Sequence, residues 1–413
     1  MLKIEETMST TQILIILFFL SLIVTTVVYP FVLRYALNHN IVDNPDARKI
    51  HRQPIPVMGG VAVYAGILVG CLAMWFLIER ASISWSLMAL TTMLVLGVWD
   101  DMKNLPAVLR LFVQFGIVGG YIALTGFYIH NFYGLFDIHE ISPWVGIPLS
   151  LVGGVGIINA INMIDGIDGY SSGYGIMACT CFAVLFIFAG PPVWSSLAVI
   201  VTAALIPFFF HNVFGVKSKM FIGDGGTMML GLLMSIFAIG ALSMRSCQDL
   251  EAHGVGVIAV PLAVLCIPIF DTLRVMTARM LRGRSPFKPD KSHLHHLFID
   301  MGFSHLGASL SILSMNLIVI LVWLMLWLCG ASINTQTCTV ILMGLTVTVG
   351  FYKLMRWQQH SGPIGDNGLP QGTPLWHTFC RIGNLSHMEE GVVWQALQKF
   401  VDYLPKPLSG LFH

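Results

Sequence analysis

Five short polar segments interrupt an otherwise apolar chain, and their residue types suit the handling of phosphates and a hard cation. NAINMIDGIDG (159–169) sets Asn159, Asn162, Asp165 and Asp168 at successive intervals of three. On a helix that spacing steps each about 60° back from the last and lines one polar half-face. Gly166 and Gly169 predict that the helix breaks as it leaves the membrane. Helix–helix hydrogen bonding explains one such residue but poorly explains four, because each carboxylate is costly in lipid. FIGDGGTMMLG (221–231) places Asp224 among Gly223, Gly225 and Gly226, directly before an apolar run. Close backbone approach and free N–H groups there suit a phosphate, or Asp224 meets a metal; Asp224 or Thr227 as an ordinary N-cap is the plain alternative. In GVWDDMKNLP (97–106), Asp100 and Asp101 are adjacent carboxylates that repel each other and invite a cation. Acidic residues are also common at a membrane boundary, so this pair alone decides nothing.

RGRSPFKPDKSHLHHLF (282–298) brings His293, His295 and His296 together with Arg284 and Lys291. Two adjacent histidines chelate one ion poorly from a helix, whereas imidazole N–H groups and cations form a wall for anionic oxygens. A solvated basic loop explains the Lys and Arg residues but not the histidines. The fifth segment is IVDNPDARKIHRQPIPVMGG (41–60). Carboxylates and amides spread over several loops favour magnesium over zinc, which would want Cys or spaced His ligands. Acidic groups for a divalent cation and basic groups for several phosphates suit phosphoryl transfer between a soluble diphosphate and a lipid phosphate, where positioning and charge neutralisation do most of the work.

The elements that must carry these residues are membrane helices. Of 413 residues, 56% are apolar and only 10% charged, well outside the soluble globular range. Runs long enough for a hydrocarbon core of roughly 30 Å lie near 12–35, 57–78, 85–99, 107–126, 143–160, 170–189, 193–213, 227–244, 255–280, 308–329 and 337–355. The expected fold is therefore all-α and polytopic, with about eleven transmembrane helices. The first run is followed by no small-residue cleavage site and reads as a retained anchor. The eight cysteines show no CxxC spacing and are given no redox or metal role. The net charge of +1 gives no sign of a nucleic-acid partner.

Placing successive loops on alternating sides of the membrane puts all five polar segments in odd-numbered loops. Of the 22 Lys and Arg residues, all but Lys3, Arg80 and Arg245 share that side. The positive-inside rule then makes it cytoplasmic, with the N-terminus outside and the C-terminus in the cytoplasm. Residues 1–356 read as the transmembrane domain and 357–413 as a cytoplasmic tail, in which MEEGVVWQALQKFVDYL suggests an amphipathic interfacial helix. A transporter would instead place its acidic residues near mid-membrane in paired repeats, and the chain shows no internal repeat.

With RQPIPVMGG, the Asp100–Asp101 pair, NAINMIDGIDG, FIGDGGTMMLG and SPFKPDKSHLHHLF in this order, the chain resembles the polyprenyl-phosphate N-acetylhexosamine-1-phosphate transferase superfamily of MraY- and WecA-like enzymes. The last segment is nearer to the WecA-like form. The resemblance covers about residues 12–355 and implies Mg2+, with Mn2+ able to substitute. It implies as partners a UDP-N-acetylhexosamine, undecaprenyl phosphate and the bilayer, at the cytoplasmic face of a bacterial inner membrane. The reaction implied transfers N-acetylhexosamine 1-phosphate, with GlcNAc favoured, and releases UMP. A muramoyl-pentapeptide donor is the near rival, and the reading admits a homodimer.

By motif position the resemblance makes Asp224 the principal metal ligand with Asn162 beside it. Asp100 and Asp101 then position or deprotonate the lipid phosphate, and Asp165 and Asp168 shape the nucleotide–metal site with Asn159 nearby. His293, His295 and His296, helped by Arg284 and Lys291, bind pyrophosphate or sugar. Arg48, Lys49, His51 and Arg52 meet the lipid phosphate. The family's DDxxD reads DDMKN here, so Asn104 is not counted as a ligand. Asp271 with Arg274 resembles an acidic position of the WecA branch, an ion pair being the equal alternative.

Overall fold

A computed structural model describes residues 8–43, 54–78, 81–190, 192–244, 246–286, 290–362, 372–387 and 392–403. The expected contacts of Arg48, Lys49, His51 and Arg52 lie outside these residues. In lipid a lone segment satisfies its own backbone N–H and C=O groups only as a helix, and each apolar run takes that form. In chain order the helices begin with α1 (Thr10–Asn38), α2 (Gly59–Leu77), α3 (Ala81–Lys103), α4 (Ala107–Thr125), α5 (Pro143–Ile164), α6 (Tyr170–Ala189), α7 (Pro192–Phe214) and α8 (Gly223–Ser243). They continue with α9 (Ser246–Ala252), α10 (Ala259–Val264), α11 (Cys266–Leu281), α12 (Leu294–Asp300) and α13 (His305–Leu328). The last are α14 (Ile333–Leu345), α15 (Tyr352–His360), α16 (Pro374–Leu385) and α17 (Val392–Tyr403), with α14 passing into α15 through a π-helical stretch, Thr346–Phe351.

Among the described residues ten helices are long and apolar enough to cross a membrane, counting Ile333–His360 as one. The expected run at 255–280 is not among them because it is broken at Leu265 into α10 and α11. Pro268 lacks the N–H that would continue the hydrogen-bond ladder, and a neighbouring helix meets the freed groups. Asn316 of α13 accepts from Ile267 N at 3.0 Å and donates to Val264 O at 3.1 Å and Ala263 O at 3.3 Å. Tyr174 Oη of α6 also donates to Val264 O, at 3.2 Å. A broken helix at membrane depth is tolerated where protein surrounds it in this way.

Helix α8 is the axis of the bundle, its apolar window buried throughout. Glycines bring its neighbours into backbone contact: a methyl on Gly60 of α2 would strike Gly226, and one on Gly97 of α3 would strike Gly225. One on Gly231 would lie 2.6 Å from Ile158 Cα of α5. Small residues allow close packing where lipid gives helices no hydrophobic drive to associate. The outer helices α1, α4 and α13 present large apolar side chains outward, Phe19, Phe112 and Leu328 among them.

Two short antiparallel pairs mark the ends of the bundle. At one end β1 (Val42–Asp43) pairs with β2 (Ile55–Pro56), in the register Val42 to Pro56. Val57 bridges in parallel to Phe221, which ties the loop after α1 to the one before α8. At the other end β3 (Asn131–Leu135) pairs with β4 (Ile138–Glu140). The two helices after α15 are packed on the bundle: α16 lies against α15 and α17 against α7.

Candidate active site

A cavity of about 950 Å³ lies at the end that carries β1 and β2. All five polar segments reach its wall, through Asp43, Asp101, Asn162, Asp224 and His295 among others. Placing these segments on one side by loop parity agrees with this arrangement.

The carboxylates are not equivalent. Asp100, only 3% exposed, accepts from Leu105 N at 2.7 Å and from Arg110 Nη1 at 2.5 Å. Asp101 accepts from the backbone N–H groups of Asp224 (2.8 Å) and Gly225 (3.1 Å), so it caps α8 from the neighbouring helix. The plain alternative of an N-cap by Asp224 or Thr227 is not what forms, since no side chain of α8 caps its own start. Gly223, at φ +75, makes the turn that aims these amides at Asp101.

Asp224 keeps free capacity. Its Oδ1 accepts from Asn162 Nδ2 at 2.6 Å, its Oδ2 stands 3.7 Å from Arg110 Nη1, and its side chain is 37% exposed. Asn162 Nδ2 also reaches Thr227 Oγ1 at 2.8 Å, which leaves the Asn162 carbonyl oxygen as the group not committed to Asp224. Asn159 donates to Gln114 Oε1 of α4 at 2.7 Å.

The three-residue spacing is helical only for Asn159 and Asn162, because α5 ends at Ile164. Asp165 is the C-cap, in an extended conformation, and Asp168 lies in the following turn, so the polar half-face stops where the helix does. Burial lifts the Asp165 carboxyl to about 7; a hydrogen bond with Ser171 opposes this, and the charges of Asp224 and Asp168 add to it. Asp168 Oδ2 meets Lys219 Nζ at 2.6 Å and His305 Nδ1 at 2.7 Å. Burial would raise this carboxyl too, but the hydrogen bond from His305 and the Lys219 charge outweigh it and hold it below the ordinary range.

The histidines form one wall of the cavity. The rings of His293 and His295 are parallel at 5.8 Å, and His296 lies 4.2 Å from His295. His293 Nδ1 donates to Asp271 Oδ2 at 2.9 Å. Arg274 Nη2 pairs with Asp271 Oδ1 and also holds Ser292 O, each at 2.6 Å. Asp271 and Arg274 are thus an ion pair that seats the histidine segment. Arg279 grips Asp290 through two bonds, 3.0 and 2.9 Å, and fixes the same segment to α11. Burial pushes His295 well below its usual value and His296 to about 4, with repulsion from the neighbouring imidazoles adding to both. At neutral pH these two rings are neutral hydrogen-bonding groups. Arg284 and Lys291, expected as helpers, are exposed and do not line the cavity.

Arg110, Lys219, His305 and Asp271 are the functional residues that reasoning from sequence underused. Arg110 carried a faint signal, a lone cation one turn into an apolar run. Asp271 was legible as a pair with Arg274 but not as the partner of His293, 22 positions away, and Lys219 and His305 carried no signal, because Asp168 lies 51 and 137 positions from them.

Asp224 and the Asn162 amide oxygen are the residues that could hold a hard cation. Among the described residues no group of three or more His, Cys, Asp or Glu side chains could enclose a metal. One carboxylate with spare oxygens and one amide oxygen is what Mg2+ uses when water and substrate phosphates complete its shell. Met102 and Arg110 line the cavity, and the exposed side chains of Trp99 and Phe112 lie on the same two helices, α3 and α4.

The sequence is similar to several known proteins. Glycosyl transferase family 4 matches residues 82–242. The probable undecaprenyl-phosphate N-acetylglucosaminyl 1-phosphate transferase of Bacillus subtilis (strain 168) is 33% identical over 293 residues, 71% of this chain and 79% of that protein. The undecaprenyl-phosphate alpha-N-acetylglucosaminyl 1-phosphate transferase of Yersinia pestis is 30% identical over 72% of this chain and 78% of its own length. The Escherichia coli (strain K12) protein of the same name is 29% identical over the same shares.

Proposed function

The chain belongs to glycosyl transferase family 4 and is a multi-pass membrane sugar-1-phosphate transferase acting on undecaprenyl phosphate; from that premise we propose how its cavity does the chemistry. The sugar it transfers as the 1-phosphate is N-acetylglucosamine, and the proposed donor is UDP-GlcNAc. A phosphate oxygen of the lipid attacks the β-phosphorus of the donor, the bond to the α-phosphate bridge breaks, and UMP leaves. The sugar C1–O bond is untouched, and the product is undecaprenyl-pyrophosphoryl-GlcNAc. The Lys and Arg bias between loops supports a cytoplasmic site in a bacterial inner membrane.

One observation supports this reading: spare oxygens at Asp224 and a histidine wall share one cavity, lined also by Met102 and Arg110 of the two helices that carry the exposed Trp99 and Phe112. Asp224 and the Asn162 carbonyl oxygen would hold the magnesium ion, whose charge offsets that of the diphosphate. Arg110, 3.7 Å from Asp224, supplies a fixed positive charge on the side where the lipid phosphate arrives. The neutral rings of His295 and His296 donate to diphosphate or sugar oxygens. At neutral pH a phosphate nucleophile needs little help from a base, so Asp100 and Asp101 serve best as they stand, one holding Arg110 and the other the start of α8.

The test is transfer by purified protein from a panel of UDP-sugars to undecaprenyl phosphate. UDP-GlcNAc should support turnover that EDTA abolishes and Mg2+ restores, and UDP-N-acetylmuramoyl-pentapeptide should not. Because Asp165 loses its proton near pH 7, apparent cation affinity should rise as pH passes through that value. Turnover only with the pentapeptide donor, or turnover unaffected by chelation, would refute the proposal.

Gly166 offers a check on the histidine wall. A methyl there would run into the His295 ring, so Gly166→Ala should lower kcat/KM for the donor by roughly 10- to 100-fold, the scale set by displacing a positioned group by about an ångström. Wild-type kinetics would show that the position of His295 is immaterial.

A further inference from the structure

The two C-terminal helices hold the two loops whose side chains converge on Asp168. On α17, Asp402 Oδ1 accepts from the backbone N–H groups of Val216 (3.0 Å), Lys217 (3.1 Å) and Ser218 (3.1 Å), and from Ser218 Oγ at 2.9 Å. Trp394 of the same helix packs on Phe214 with ring centroids 4.8 Å apart. The turn held in this way delivers Lys219, whose ammonium sits 2.6 Å from Asp168 Oδ2. At the end of α16, Ser386 Oγ accepts from Ser304 N at 2.8 Å, and Ser304 Oγ donates to Ser386 O at 3.1 Å. His387 Nε2 donates to Gly302 O at 2.9 Å. The turn held there delivers His305, which meets the same Asp168 oxygen at 2.7 Å.

Three properties make this more than packing. The contacts from each helix end one to three residues from a side chain that touches a cavity carboxylate. Asp402 uses a single oxygen as the common acceptor for three consecutive N–H groups, a nest that fixes the turn's conformation and not merely its place. The other oxygen, Asp168 Oδ1, is buried without a hydrogen-bond partner, so Lys219 and His305 carry the whole compensation of that carboxylate.

We propose that the C-terminal segment is a strap on the loops behind the site, with Asp402 and Ser386 as positioning residues that set Lys219 and His305 on Asp168 and so shape the subsite for the sugar nucleotide. This rests on the reading of the cavity given above. The relevant atoms of Asp402 and Ser386 touch backbone of the loops and not the cavity, so their effect passes through Lys219 and His305. The strap couples the segment after the transmembrane domain to donor binding: loosening either helix frees a basic partner and leaves a buried carboxylate uncompensated where the donor must sit.

A double-mutant cycle on the full-length protein tests the strap. Asp402→Ala should raise KM for UDP-GlcNAc about tenfold with little change in kcat, the scale of losing an outer partner of a site residue. In the Lys219→Ala background the same change should add less than about twofold, because the two act on one link. Asp402→Asn keeps a carbonyl to accept the three N–H groups and should restore most of the affinity. Ser386→Ala with His305→Ala forms an independent second cycle that does not depend on how well Asp402→Ala folds. Effects that multiply in both cycles, or an unchanged KM in Asp402→Ala and Ser386→Ala, overturn the strap. Wild-type turnover separates the two ideas: with no turnover both fall, whereas turnover insensitive to these changes removes the strap alone.

Discussion

Asp224→Asn should give a protein that extracts and gel-filters like the parent yet turns over at least roughly 10³-fold more slowly, the upper range for losing one preorganised charge at a reacting phosphate. Folding should survive because the start of α8 is held by Asp101 through backbone N–H groups, which the substitution leaves in place. Volume is conserved as well, and α8 is packed too tightly to accept a larger group. Catalysis should not survive, because Asp100 is committed to Arg110, Asp101 to amides and Asp168 to Lys219 and His305, while Asp165, near half-protonated at neutral pH, cannot supply the full missing charge. Turnover under saturating Mg2+ is the measurement, with isothermal titration of Mg2+ as its companion. Activity within tenfold of the parent would remove Asp224 from the metal site.

Arg110→Ala should be the most damaging single change to stability and activity together. Asp100 is 3% exposed and Arg110 is its charged partner at 2.5 Å, so the truncation strands a buried carboxylate, at a cost of about 3 kcal/mol. The same side chain stands 3.7 Å from Asp224, so its loss also removes the fixed cation beside the phosphates, expected to lower kcat/KM about 10²-fold. Arg110→Lys keeps the charge but not the rigid planar guanidinium whose Nη1 stands beside both Asp100 and Asp224, and should recover stability better than activity. Melting of the detergent-solubilised variants and steady-state kinetics report the two effects separately. A wild-type melting temperature for Arg110→Ala would contradict the pairing, and wild-type kinetics would contradict the phosphate contact.

Much of this architecture can be read along the chain. Apolar runs locate the helices because lipid leaves the backbone so few options, and alternation of sides gathers the five polar segments without knowledge of any contact. The ninth run, 255–280, is no single spanning helix for a physical reason, since Leu265 and Pro268 break it, and only distant partners, Asn316 and Tyr174, show how the break is tolerated. The histidines are legible because imidazoles are out of place in a merely basic loop. Arg284 and Lys291 were expected beside them on that same loop chemistry, yet lie exposed, because composition does not say which way a loop turns.

What stays hidden depends on partners far apart in sequence. Arg110 looks like one more topology-setting charge until Asp100 and Asp224 are placed around it. Asp101 looks like half of a metal-binding pair until its oxygens are found on the amides of α8. Helical spacing carried past Ile164 overstates the polar face of α5, because the glycines end the helix before Asp168. The tail helix at 392–403 has an amphipathic pattern suited to a membrane surface, and nothing local reveals that Asp402 binds the 216–218 turn.

In the proposed reaction the protein moves a phosphoryl group and leaves the sugar C1–O bond intact. The most direct measurement follows a label on the β-phosphorus of UDP-GlcNAc during turnover with undecaprenyl phosphate and Mg2+. Label should appear in the lipid pyrophosphate, with one unlabelled UMP released per lipid product. Label remaining in released UDP, with sugar alone on the lipid, would contradict it.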